Sequence, residues 1–138
     1  MNTVELAQVR LLVSDFAACY HFYAEVLGLK PQSGATKGPY EKFSPATGSA
    51  GIALQDRSMM AEILGELGDE ASGHRSLVVL RVDDLNTYCE QIASRGATLL
   101  HGPSAMTDRM RVAHLKDPEG NLVELQEWLL LRLSLIHI

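Results

Sequence analysis

The sequence predicts an α+β fold made of two tandem βαβββ modules. Three observations predict it. The runs Val9-Arg10-Leu11-Leu12-Val13 and Leu77-Val78-Val79-Leu80-Arg81-Val82 each lead into an acidic residue, then into a helical pattern closed by glycine. Each helix is followed by short β-favouring pieces. The last piece is introduced by Asp117-Pro118-Glu119-Gly120-Asn121. There Pro presets φ and Gly or Asn accepts positive φ, so a tight turn delivers the chain into a strand. Two copies are too few for a solenoid, so two sheets related by a pseudo-two-fold are the natural solution. Module one covers about 4–56, a linker 57–73, module two about 74–128, and an apolar tail 129–138.

In module one, Asp15 is the helix N-cap. Phe16, Cys19, Tyr20, Tyr23 and Leu27 then recur at i, i+3, i+4, i+7 and i+11, one apolar face that ends at Gly28. A Gly/Ser/Pro-rich loop over 32–39 precedes strand-like pieces at about 40–44 and 51–55. The linker places Met59, Met60, Ile63, Leu64 and Leu67 at helical spacing. That predicts a short amphipathic helix used as packing filler, although methionines also line adaptable ligand sites. In module two Asp84 caps a helix whose apolar face is Leu85, Tyr88, Cys89 and Ile92, ending at Gly96. Strands follow at about 98–101, 109–116 and 122–128. Both cysteines sit on buried stripes and read as small inert hydrophobes. The ending Leu129–Ile138 is apolar enough to require burial against the fold or a partner, unless it is an extension with no evolved role.

A chain of 138 residues, 46% hydrophobic and 21% charged, can build one real core. Its net charge of -5 and lack of a Lys/Arg run argue against nucleic acid. No apolar run approaches the ~20 residues of a membrane span. Without a signal-peptide pattern, two free thiols in the cytoplasm are expected.

Alternate strand residues face opposite sides. Val9, Leu11 and Val13 should pack on the helices, with Gln8, Arg10 and Leu12 facing away. Val78, Leu80 and Val82 form the corresponding set in module two, with Leu77, Val79 and Arg81 opposite. A sheet with helices on one face and scattered polar groups on the other is either a binding groove or a solvated surface. Glu124, a carboxylate among apolar strand residues, is costly to bury unless something pairs with it.

The duplicated pattern, Val13-Ser14-Asp15 followed by Phe22-Tyr23 and Leu27-Gly28-Leu29, and the segment 117–125 together resemble the vicinal oxygen chelate superfamily. This is the group of glyoxalase I, bleomycin-resistance proteins and extradiol dioxygenases. The resemblance runs from about Val4 to Trp128. It implies a glyoxalase/bleomycin-resistance-like cupped sheet, a small-molecule ligand and a homodimer. It also implies a metal site taking one side chain from each of four strands, where the ion polarises substrate oxygens. Carried over, those positions are Gln8 and Glu124, which retain donors, and Ala53 and Leu77, which do not. Gln8 and Leu77 also stand where dioxygenases place histidines, and Leu12 replaces the arginine that grips glutathione in glyoxalases. His74 has the wrong strand parity to substitute for Leu77. His114 matches a pocket position, either completing an irregular metal site or hydrogen-bonding in the pocket.

The resemblance therefore implies a small-molecule binder with no cofactor, a divalent metal being disfavoured. Gln8, Arg10, Arg81, His114 and Glu124 are its candidate ligand-binding residues, and Trp128, Phe43 and Tyr40 its candidate stacking surfaces. The alternative is a glyoxalase-like lyase or isomerase, with or without a divalent metal. There Glu124, if unpaired in a dry pocket, has a raised pKa and serves as general base. A non-catalytic regulatory or dimerisation module is a third reading.

Overall fold

The chain folds into two units, Met1–Ser72 and Gly73–Ile138, in a computed structural model that describes residues 8–43, 51–67 and 76–129. In the first unit, β1 (Gln8–Val13) leads into α1 (Phe16–His21), which widens into a π-helical turn over Phe22–Val26. The expected cap is present: the Asp15 carboxylate accepts the Ala18 N–H at 3.1 Å. Gly28 ends the helix at φ 87°, a conformation costly for any residue with a β-carbon. β2 (Tyr40–Phe43) and β3 (Gly51–Asp56) complete a sheet of order β1-β3-β2, with β3 parallel to β1 and antiparallel to β2.

The core of this unit lies between the sheet and α1. Tyr23 and Phe43 are buried with ring centroids 6.2 Å apart, and Tyr20 joins Phe43 at 5.9 Å. Leu11 and Val13 face this core as expected, but Val9 does not: it is 52% exposed. Val9 lies near the start of β1, which is an edge strand among the described residues.

Among the described residues the first unit has three strands after which the βαβββ expectation leaves one place open. That place is held by a single bridge between Pro31 and Phe43, together with a Gln32 N–H bond to the Lys42 carbonyl at 3.0 Å. Proline has no N–H to extend the ladder. The linker helix α2 (Arg57–Ile63) is also not packing filler. None of its residues is buried, and Met59, Ile63 and Leu64 are 44%, 71% and 46% exposed. The apolar spacing continues to Leu67, but the helix stops at Ile63 and gives way to a 3₁₀ turn over Gly65–Leu67, which breaks the stripe.

The second unit holds β4 (Leu77–Arg81), α3 (Leu85–Ser94), β5 (Leu99–Ala105), β6 (Met110–Lys116) and β7 (Leu122–Trp128). Sheet order is β4-β7-β6-β5, with β4 parallel to β7 and the other pairs antiparallel. Two carboxylates hold the start of α3. Asp84 accepts from the Thr87 N–H at 3.2 Å, and buried Glu127 reaches across from β7 to accept the Leu85 N–H at 2.8 Å. Leu85, Ile92, Ala113, Leu115, Val123 and Leu125 form the core between α3 and the sheet. Cys19 and Cys89 are buried and form no disulfide with one another, and burial pushes the Cys89 thiol up against a smaller opposing effect of Arg111.

The turn before β7 is built as its residues dictate. Asp117 accepts the Glu119 and Asn121 N–H groups, both at 2.9 Å, and the Asn121 side-chain amide at 3.0 Å. β5 runs four residues further than the sequence suggests, because register shifts on either side of His101 absorb Gly102 and Pro103 without ending the strand. No described helix is long and apolar enough to cross a membrane. The tail from residue 130 onward and His74 lie outside the described residues.

Candidate functional site

Each sheet packs one face against its crossover helix and carries polar side chains on the other, open face. In the first unit that face is reached by Met59 of α2, its Sδ accepting from Gln55 Nε2 at 3.9 Å. In the second unit, β7 residues Val123 and Leu125 face α3, so Glu124, Gln126 and Trp128 face the other way. Register aligns Val79, Glu124 and His114 in one row and Arg81, Gln126 and Val112 in the next. Leu77 and Val79 are 51% and 48% exposed on this open face, as parity predicts.

Glu124 is not unpaired. Its Oε2 accepts from Gln126 Nε2 at 2.7 Å, and its Oε1 lies 2.9 Å from His114 Nε2. Since a carboxylate only accepts, Nε2 of His114 carries the hydrogen. The chain of bonds continues outward: Gln126 Oε1 accepts from Trp128 Nε1 at 2.9 Å, and the Arg81 guanidinium lies 6.0 Å from the Trp128 ring centroid. On the other side His101 meets His114 edge-on, with ring centroids 5.6 Å apart. Burial by itself pushes the Glu124 carboxyl up, but the hydrogen bonds from His114 and Gln126 and the His114 charge outweigh it. The net shift is downward, below the ordinary 4.5. This corrects the raised pKa expected of an unpaired base, because strand pairing sets His114 directly opposite Glu124. His114 Nδ1 is buried and has no hydrogen-bond partner among the described residues.

In the first unit Phe43 and Leu54 are on the helix side, so Gln8, Arg10, Tyr40, Ala53 and Gln55 lie on the open face. Gln8 sits beside the Tyr40 hydroxyl at 2.6 Å. In the amide orientation that satisfies every partner, its nitrogen donates to that hydroxyl and its oxygen accepts from Arg10 Nε and Nη2, both at 3.2 Å. Arg10 Nη1 donates to Gln55 Oε1 at 3.4 Å, and the guanidinium lies 5.1 Å from the Tyr40 ring centroid. Tyr40 is thus a stacking surface, whereas Phe43, the other first-unit candidate, belongs to the core.

The structure brings Glu124 and His114 together, and Gln8 and Arg10 together. Ala53 is fully buried and, like Leu77, offers no donor atom. Among the described residues no three His, Cys, Asp or Glu side chains cluster closely enough to hold a metal. Sequence reasoning missed Gln126, His101 and Gln55. The first was within reach, since Gln126 shares the parity of Glu124 two residues on.

The sheets, the crossover helices and the closing turn before β7 are the arrangement that a family model matches over residues 5–125: the Glyoxalase/Bleomycin resistance protein/Dioxygenase superfamily. The chain belongs to this superfamily. Among relatives, the uncharacterized protein YraH of Bacillus subtilis is 32% identical over 130 residues, covering 91% of this chain and 100% of YraH. A superfamily enzyme from Burkholderia phytofirmans PsJN matches with a TM-score of 0.75 at 22% identity, over 91% of this chain and 99% of that one. TnmS3, an antibiotic binding protein from Streptomyces sp. CB03234, matches with a TM-score of 0.66 at 24% identity, over 93% of this chain and 98% of its own.

Proposed function

We propose that this superfamily member binds a small molecule on the open faces of its sheets, without a divalent ion and without turnover. One observation carries the reading: both oxygens of Glu124 are already used by Gln126 and His114. A metal at this position would have to displace two charge-assisted hydrogen bonds. Two of the other positions of the family site, Ala53 and Leu77, have nothing to offer in return. A neutral amide, Gln8, would be left as the main additional donor, and it is engaged with Tyr40 and Arg10. The donor set does not fit a divalent ion.

The same geometry weighs against the alternative, a lyase or isomerase with Glu124 as general base. A base must reach the proton it takes, and its pKa should sit near the working pH. Glu124 has neither a free oxygen nor a raised pKa. His114 fares no better as the base, because its remaining nitrogen is buried. A binding role is also what the name of TnmS3 describes for that protein. We place the present protein in the cytoplasm as a homodimer, a state that light scattering on the purified chain measures directly.

Elemental analysis of purified protein tests the metal-free reading. The expected result is far less than one divalent ion per chain, with a melting temperature that a chelator leaves unchanged. Stoichiometric nickel, zinc, manganese or iron would sink it. Trp128, the sole tryptophan, bonds into the Glu124 chain, so its fluorescence should change as a ligand titrates the open face.

A further inference from the structure

We infer that the open face of the second unit binds an amphiphilic carboxylic acid along β4, with its carboxylate on Arg81 and its apolar body over Val79 and Leu77. This deepens the small-molecule reading above and rests on it. Leu77, Val79 and Arg81 alternate along β4 and so share one face. All three are exposed, Leu77 by 51% and Val79 by 48%. A strand rise of about 3.3 Å per residue sets Leu77 about 13 Å from Arg81. The strip thus presents two branched apolar side chains and then a cation, in line. Apolar side chains left uncovered beside a charge suit a ligand with an apolar body and one charged end.

Arg81 is held in place by a neutral group. Its guanidinium lies 6.0 Å from the Trp128 ring centroid, and that ring is itself tethered, Nε1 donating to Gln126 Oε1 at 2.9 Å. Gln126 is the strand partner of Arg81 and donates in turn to Glu124 Oε2 at 2.7 Å. These bonds spend the acceptors that could have paired with Arg81. Gln126 Oε1 is taken by Trp128, and Glu124 gives one oxygen to Gln126 and the other to His114. The other acid of β7, Glu127, has the opposite parity and accepts the Leu85 N–H. Among the described residues the Arg81 guanidinium makes neither an ion pair nor a hydrogen bond. Its fork of N–H groups is therefore available to a carboxylate, which accepts two of them side by side. One placed cation balances one negative charge. A second negative charge would meet Glu124 on the same face, so a carboxylate suits the strip better than a phosphate ester. Lys116 is the other lysine or arginine that the strands set on this face, and it lies in the row of Leu77, two strands away from it.

The test uses probes that share one apolar chain, octanoate, octanamide, octylammonium and octyl phosphate, with acetate as the head group alone. Binding to the full chain is followed by calorimetry and by the emission of Trp128, with amide chemical shifts locating the site. The expected result is that octanoate binds at least about tenfold more tightly than octanamide and no less tightly than octyl phosphate, shifting resonances of β4 and β7. Acetate should bind far more weakly than octanoate. R81Q should remove most of the octanoate advantage over octanamide, whereas K116Q, at a cation of the same face, should keep it. L77S and V79S together should weaken octanoate and octanamide alike and leave their ratio unchanged. Octanoate no tighter than octanamide, tightest binding of the ammonium or the phosphate ester, or acetate as tight as octanoate would overturn the proposal. So would shifts confined to the first unit, or an R81Q protein that keeps the advantage. A different order of probes on this face leaves the small-molecule reading standing. Failure of the metal-free reading is seen separately, as stoichiometric metal in the same protein sample.

Discussion

Glu124 on β7 and His114 on β6 are directly paired across the antiparallel ladder, with Oε1 and Nε2 2.9 Å apart. Gln126, two residues along the same strand, closes the second oxygen at 2.7 Å. An amide meets both partners only if His114 moves its hydrogen from Nε2 to the buried Nδ1 and accepts from the amide NH2, and it gives up the charge that strengthens both bonds. E124Q should therefore lose about 1–3 kcal/mol of stability in urea unfolding. The acid dependence follows from the lowered pKa. The native state favours the charged form, so the stabilisation is present above the unfolded value near 4.5 and is lost as pH falls through the lower folded value. The gap between wild type and E124Q should narrow below pH 4.5. A variant as stable as wild type at neutral pH would mean that the pairing contributes nothing.

Glu41 is fully buried yet is held as a carboxylate by the loop it anchors. It accepts from the Ser33 N–H at 2.8 Å, the Ser33 hydroxyl at 2.9 Å and the Ala35 N–H at 2.6 Å. Burial raises its pKa, but these bonds together lower it below the ordinary value. E41Q should cost about 3 kcal/mol, since a buried charged acceptor is replaced by a group that clashes with a donor. Amide exchange at Ser33 and Ala35 should accelerate in the variant. Unchanged exchange there would show that the loop does not depend on Glu41.

The fold was legible because its signals are local: acidic caps at Asp15 and Asp84, glycines at Gly28 and Gly96, and period-two runs in β1 and β4. Glu124 was legible as a position, and the turn from Asp117 to Asn121 located it. Its state was not legible, because the pairing with His114 depends on the β6–β7 register. No local pattern distinguishes one register from another shifted by two residues, since both keep the same face buried. Val9 and α2 failed for the complementary reason. Apolar periodicity says which residues share a face, but whether anything covers that face is a property of the assembled unit. The cluster of Gln8, Arg10, Tyr40 and Gln55 likewise exists only once β3 lies between β1 and β2.

Gly102 gives a sharp test of how His101 is placed. At φ 81°, a β-carbon on this residue would lie 2.4 Å from the Val112 carbonyl oxygen and 2.9 Å from Ala113 Cα. Backbone of the neighbouring strand cannot move aside as a flexible side chain would. G102A should therefore cost more than about 2 kcal/mol, the sum of an unfavourable left-handed conformation and a forced shift of β5. His101 should lose its edge-on contact with His114, visible as a change in the ring proton shifts of both. If stability and those shifts are unaltered, the irregular register around His101 is not what positions the ring.

The exposed residues of α2 yield the opposite expectation. Ile63 is 71% exposed and Met59 is 44% exposed, and no residue of this two-turn helix is buried. Ile63, at that exposure, contributes little to folding, whereas Met59 makes one contact, its Sδ accepting from Gln55 Nε2 at 3.9 Å. I63K should therefore change the unfolding free energy by no more than about 0.5 kcal/mol, and M59K by little more. The helix itself is secured at its start by Asp56, which accepts the Ser58 N–H at 3.1 Å and the Ser58 hydroxyl at 2.9 Å. D56A should accordingly cost more than I63K, about 1 kcal/mol. The order of the two effects is the informative result. A loss above 1 kcal/mol in I63K, or a fall in oligomeric mass measured by light scattering, would mean that a partner surface covers Ile63 in solution.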